Sequence, residues 1–187
     1  SAFGAGQRIF ELLEKAKDYA KHISCSNLSR EEALWSFLLY FIPRIGFPLP
    51  VLSMNEAQCN KIMSPALMAV LPKLHLNRHT ARSILYGPEL YGGLNLPHAY
   101  LLQGIGQLNL LLGHLRAYDK TGKLIIIAMS HLQLLIGSDI PFFFLSYKPY
   151  DKWIEQSWLT SLWKFTSSLN FQIKVKKAWQ PSIQRKK

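Results

Sequence analysis

The sequence predicts a mainly α fold, a helical bundle of about six to seven helices with at most a short C-terminal β-strand. Three observations predict it. Apolar residues recur at intervals of three and four along most of the chain, and Ser-x-x-Glu boxes stand just before two of those runs. Alternation with a period of two occurs only at 171–176.

The first helix is expected over 7–23, where Ile9, Leu12, Leu13, Ala16, Tyr19, Ala20 and Ile23 share a face and Glu11, Lys15, Lys17 and Lys21 fill the other. Ser29 and Glu32 form a capping box for a second, more buried helix over 34–42, which should stop at Pro43. The segment 43–50, with three prolines and a glycine, reads as an extended connection. Ser53 and Glu56 repeat the box, and Cys59, Ile62, Met63, Ala66, Leu67, Val70 and Leu71 continue as a third helix to Pro72, with a bend expected at Pro65. A short helix over 78–86, capped by Asn77, should follow, and then turns at Gly87-Pro88 and Gly92-Gly93.

Beyond Asn95 and Pro97, Leu101, Leu102, Ile105, Leu108, Leu111, Leu112 and Leu115 place a wide apolar face on a helix over 98–115. Its glycines, Gly104, Gly106 and Gly113, read as points of close approach by a neighbour; a phosphate-gripping loop would need a preceding strand. Another helix, capped by Asp119 or Thr121, should run to Ile136, and a last one should begin near Tyr150 and carry Trp153, Ile154, Trp158, Leu159, Leu162, Trp163 and Leu169 inward. The chain reads as a single helical domain, or as two lobes, 1–90 and 91–180, followed by a basic tail over 174–187.

Charge and composition narrow the function. An apolar share of 49% supports a packed core, and a net charge of +11 favours an acidic partner. The two cysteines, Cys25 and Cys59, have no Cys or His neighbours at metal-ligating spacing and read as reduced thiols, which fits an intracellular setting. No stretch reaches roughly 18 uninterrupted apolar residues, so no membrane partner is expected. A start at Ser-Ala-Phe-Gly, without Met or a signal-peptide pattern, suggests a piece of a longer chain.

Catalytic signals are sparse. Two-metal phosphoryl transfer needs clustered carboxylates, yet beyond Glu56 the acids are the scattered Glu89, Asp119, Asp139, Asp151 and Glu155, with no Asp-Asp pair. His75 and His79 have i,i+4 spacing but lack the Glu of a zinc-protease helix, and no G-x-S-x-G elbow accompanies any serine. The chain itself is therefore expected to be non-catalytic and to need no cofactor. The basic residues say more. Between Ala57 and Pro88 there are Lys61, Lys73, Arg78, Arg82 and two histidines, and no acid. On one helix Arg78 and Arg82 would lie a turn apart and reach successive phosphates. Lys73 and the tail residues Lys174, Lys176 and Lys177 extend the candidate nucleic-acid-binding set.

The segments NRHTARSILYGP (77–88), YGGL (91–94) and LQGIGQL (102–108) resemble the region downstream of the polymerase core in reverse-transcriptase-like proteins of non-LTR retrotransposons, as found in diatoms and other microbial eukaryotes. LLEKAK (12–17), LSREEA (28–33), FPLP (47–50), QCNKI (58–62), Lys123-Leu124 and WLTSL (158–162) fall in the same order. The resemblance implies that the two-aspartate motif, and the Mg it holds, belong to an upstream core of an RNA-directed DNA polymerase. This chain would be its thumb and connection, gripping the backbone of an RNA or RNA/DNA template-primer in the nucleus or cytoplasm. It carries over no catalytic residue. The second expectation, from another class, is a helical protein-interaction or scaffold module that binds no nucleic acid.

Overall fold

Local side-chain bonds fix where four helices begin. The computed structural model describes residues 2–174. Helix α1, Ala2–Cys25, is followed by α2, Arg30–Trp35, whose cap is the expected box: the Ser29 hydroxyl accepts from Glu32 N–H, and the Glu32 carboxylate accepts from Ser29 N–H at 2.8 Å. The Ser29 hydroxyl, which donates to the Glu32 carboxylate at 2.7 Å, and then the Ser29 N–H hold the Glu32 carboxyl below its ordinary range. The next box uses Asn55 and Gln58 rather than Ser53 and Glu56, and it opens α4, Glu56–Lys73. The helix cannot start two residues earlier because Met54 is held elsewhere. Its N–H donates to Gln103 Oε1 at 3.2 Å and its carbonyl accepts from Gln103 Nε2 at 2.9 Å.

Pro43 does not end the second helix. From α2 the chain passes through a π-helical turn, Ser36–Phe41, into α3, Ile42–Gly46, and Ile42 N–H bonds the carbonyl five residues back, on Phe37. Widening the ladder at this point moves the carbonyl that the proline ring would otherwise strike, so the helix survives a residue that normally breaks it. A 3-10 turn, Leu49–Val51, completes the segment. Joining the two apolar runs makes Arg30–Val51 long and apolar enough to cross a bilayer by length and composition alone, a property that the sequence hides behind Pro43.

Helix α4 likewise runs through Pro65 and Pro72. An interior proline costs about 3 kcal/mol. Ile62, Met63, Leu67, Val70 and Leu71 are all buried, and each contributes about 1.5–3 kcal/mol, so packing outweighs the lost bond. Helix α1 lies along α4 and lines this core with Leu12, Ala16, Tyr19 and Ile23; Tyr19 stacks on Phe41 at 4.7 Å. Helix α5 is short, Arg82–Tyr86, and a 3-10 turn, Glu89–Tyr91, precedes α6, Ala99–Ala117.

The chain forms two compact units that divide between Gln103 and Gly104, inside α6. In the second, α7, Lys120–Ile136, starts where Asp119 accepts from Gly122 N–H at 2.6 Å and ends at Gly137, whose φ of 68° suits a residue without a Cβ. The α6–α7 corner is further tied by His114 Nδ1 to Asp119 Oδ2 at 2.8 Å. Buried Gln133 then clasps the exit loop: its amide donates to Ser138 O and Ile140 O, both at 2.7 Å, and accepts from Phe142 N–H at 2.8 Å. Two 3-10 turns, Phe142–Phe144 and Lys148–Tyr150, lead to α8, Trp158–Ser168.

The last helix therefore starts eight residues later than the pattern suggested, because Ser157 and Thr160 supply the cap. Trp153, expected inside, is 84% exposed on the preceding loop. Trp163 is the centre of this unit: it is fully buried, its Nε1–H donates to Leu145 O at 2.8 Å, and Phe142, Tyr147 and Tyr150 surround its ring. Gly104 fulfils the close-approach expectation, since a Cβ there would sit 2.3 Å from the Phe165 ring, whereas a Cβ on Gly113 would meet nothing. Among the described residues the fold has seven helices and no strand, counting α2, the π turn and α3 as one. Residues 171–174 are irregular, and the rest of the alternating segment lies outside the described residues.

Candidate nucleic-acid interface

The end of α4 and the turn after it set the candidate basic surface. Leu76 N–H bonds Leu71 O at 2.9 Å while His75 takes a φ of 59°, and this closes the helix. Asn77 then organises a turn instead of a helix: its Oδ1 accepts from His79 N–H at 2.8 Å, and its carbonyl accepts from Thr80 N–H at 3.0 Å and Thr80 Oγ1 at 2.6 Å. Such local bonds compete with helical ones, so Arg78 sits on the turn and Arg82 opens α5. The expected single helix carrying both arginines one turn apart is not formed.

Arg78, Arg82, His75 and His79 are exposed, as is Lys61 on α4. Among the described residues, neither guanidinium forms an ion pair with a carboxylate. Lys73 differs from them. It is half-buried, and its ammonium donates to Ser26 O at 2.6 Å, which ties the last turn of α4 to the loop after α1. Arg82 lies close enough to Tyr86 and His98 to influence both. Burial pushes the His98 imidazole below its ordinary value, with Arg82 adding to the effect and Glu56 opposing it. Burial raises the Tyr86 phenol, and Arg82 pulls the other way. The Tyr86 and His98 rings meet edge to face at 4.6 Å, and His98 Nε2 lies 3.1 Å from Asn60 Oδ1.

After α5 the chain turns tightly and folds back on that helix. Leu94 N–H bonds Ile84 O at 2.8 Å, Asn95 N–H bonds Gly87 O at 2.9 Å and Leu96 N–H bonds Leu85 O at 2.9 Å. The turn leaves Leu90 and Tyr91 exposed, and charge marks neither as a site residue. Their signal was present, because an apolar pair between Gly87-Pro88 and Gly92-Gly93 has no helical or strand face to join.

No family model, curated protein or solved structure matches this chain.

The second unit holds Lys174, exposed beside an apolar cavity of about 280 Å³ lined by Met129, Ile140, Phe142, Phe143 and Ile173. Lys176 and Lys177 lie outside the described residues. Among the described residues, no group of three His, Cys, Asp or Glu is placed to hold a metal ion. Cys59 is buried, and burial raises its thiol to about 12, with Glu56 adding to the shift, so it is no nucleophile at neutral pH. The chemistry open to this surface is charge pairing: two guanidiniums without a carboxylate partner among the described residues, beside a backbone turn, suit phosphate oxygens.

Proposed function

We propose that this chain binds nucleic acid through the backbone, using the surface around Arg78 and Arg82, and that it does so as the thumb and connection region of a retroelement RNA-directed DNA polymerase whose active site lies elsewhere. The observation that carries the reading is the acid-free stretch 57–88, in which Lys61, Arg78 and Arg82 are exposed and neither arginine is paired with a carboxylate. Binding of this kind releases counterions from phosphates, so its affinity falls steeply with salt and depends little on sequence. The order of sequence segments that resemble the post-catalytic region of non-LTR elements supports the polymerase context. Lys73 contributes long-range charge and ties the end of α4 to the loop after α1, because its ammonium already serves Ser26.

The test is anisotropy of a labelled RNA/DNA hybrid with the purified chain at about 50 and 200 mM salt. Affinity that drops by orders of magnitude across that range supports the reading. Absence of binding at low salt by a folded sample contradicts it and leaves the protein-interaction reading, which the exposed apolar side chains of α7 favour.

A further inference from the structure

The turn after α5 presents an aromatic ring to solvent on an unusually constrained backbone. Tyr91 is 83% exposed and Leu90 84%, on a 3-10 turn closed by Tyr91 N–H to Pro88 O at 3.0 Å, Gly92 N–H to Glu89 O at 2.9 Å and Gly93 N–H to Pro88 O at 3.0 Å. Glycine is required at three positions. Gly92 has a φ of 78°, a Cβ on Gly93 would lie 2.1 Å from Gly87 O, and a Cβ on Gly87 would lie 2.3 Å from Ser83 O. A tip built in this way fixes the backbone and leaves the side chains of Leu90 and Tyr91 in solvent.

We infer that Tyr91 is a stacking platform for an unpaired nucleobase of the strand whose phosphates Arg78 and Arg82 hold. This rests on the nucleic-acid reading above and specifies it. The geometry favours a base over a phosphate at the tip, because Glu89 on the same turn is exposed and repels the backbone. It also sets the spacing. Helix α5 separates Arg82 from the turn by five residues, about 7.5 Å of helix, and the fold-back of 94–96 onto α5 keeps the tip at that end. On this reading one strand lays phosphates on the arginines at the start of α5 and a base on Tyr91 at the turn beyond its end. Because the backbone of the turn is already fixed, stacking need order only the Tyr91 side chain.

The experiment measures binding of the full chain to a short single-stranded oligonucleotide and to an abasic analogue of equal length and charge. The wild type should prefer the base-bearing strand by about ten-fold, within the range set by one stacked base. Tyr91→Phe should keep that preference, and Tyr91→Leu and Tyr91→Ala should lose it while leaving affinity for the abasic strand unchanged. The Arg78→Ala, Arg82→Ala variant should weaken both ligands alike. Equal affinity of the wild type for the two strands, or a preference that survives in Tyr91→Ala, overturns the stacking role while leaving the backbone grip intact. Indifference of both ligands to the arginine variant overturns the grip itself.

Discussion

The surface from Asn77 to Tyr91 and the outer face of α7 are both exposed, but they suit different neighbours. The first is polar and basic, held by side-chain-to-backbone bonds, with one aromatic tip. The second shows Leu124, Ile127, Leu134 and Leu135 at 62–71% exposure on one helix, with His131 exposed between them. Charge on the first surface predicts contacts that salt screens; the apolar stripe on the second predicts contacts that salt leaves alone or strengthens. Two candidate activities thus separate by physics as well as by position in the chain. Net charge alone would have merged them.

The largest way to break the comparison is to remove the centre of the second unit. Trp163→Ala should cost about 3–5 kcal/mol, because it empties a fully buried site and leaves Leu145 O without its donor. Hydrogen exchange should localise the loss of protection to residues beyond 104 and leave α1 and α4 protected. Equal loss in both units would show that the two surfaces do not stand on separate cores.

A smaller effect follows from pH. Folding favours neutral His98, since its pKa is depressed below 6.5 chiefly by burial, with Arg82 adding and Glu56 opposing. A depressed histidine contributes stability that is complete above the unfolded value and declines as pH falls toward the folded one, because the unfolded chain takes up the proton first. The urea midpoint should therefore fall between pH 7 and 5, and His98→Gln should flatten that decline. An unchanged slope in the variant would remove His98 from the account of the basic surface.

The smallest effect belongs to α7. Leu124→Gln with Leu134→Gln should change stability by no more than about 0.5 kcal/mol each and leave hybrid binding as it was. A large loss of stability would mean that these side chains are part of a core and not a free face.

The sequence carried the helical class and the core of α1, where Leu12, Ala16, Tyr19 and Ile23 are all inside, but not the inner face of α6, where Leu101 and Ile105 are exposed and Gln103 and Gln107 are buried. It misled where tertiary contacts overrode local rules. Pro43 lies within a helix because a π turn makes room, and Asn55 caps α4 because Gln103 holds Met54 out of it. Gln103 is far from Met54 in sequence, so that signal is not visible in a window of a dozen residues. Gln103 and Gln133 were the readable clues, as amides on otherwise apolar helices that end up buried and clasping backbone. At the candidate site the exposed basic residues could be picked out from charge. The turn that separates Arg78 from Arg82 could not, because Asn77 stabilises a turn as readily as a cap.

The central claim is tested most directly by the salt dependence of hybrid binding in the wild type and in Arg78→Ala, Arg82→Ala. The account predicts a steep linear fall of log affinity with log salt, and a slope shallower by about two in the variant, one for each lost phosphate contact. A slope that is the same in both proteins would place the phosphate contacts elsewhere and contradict the assignment of this surface.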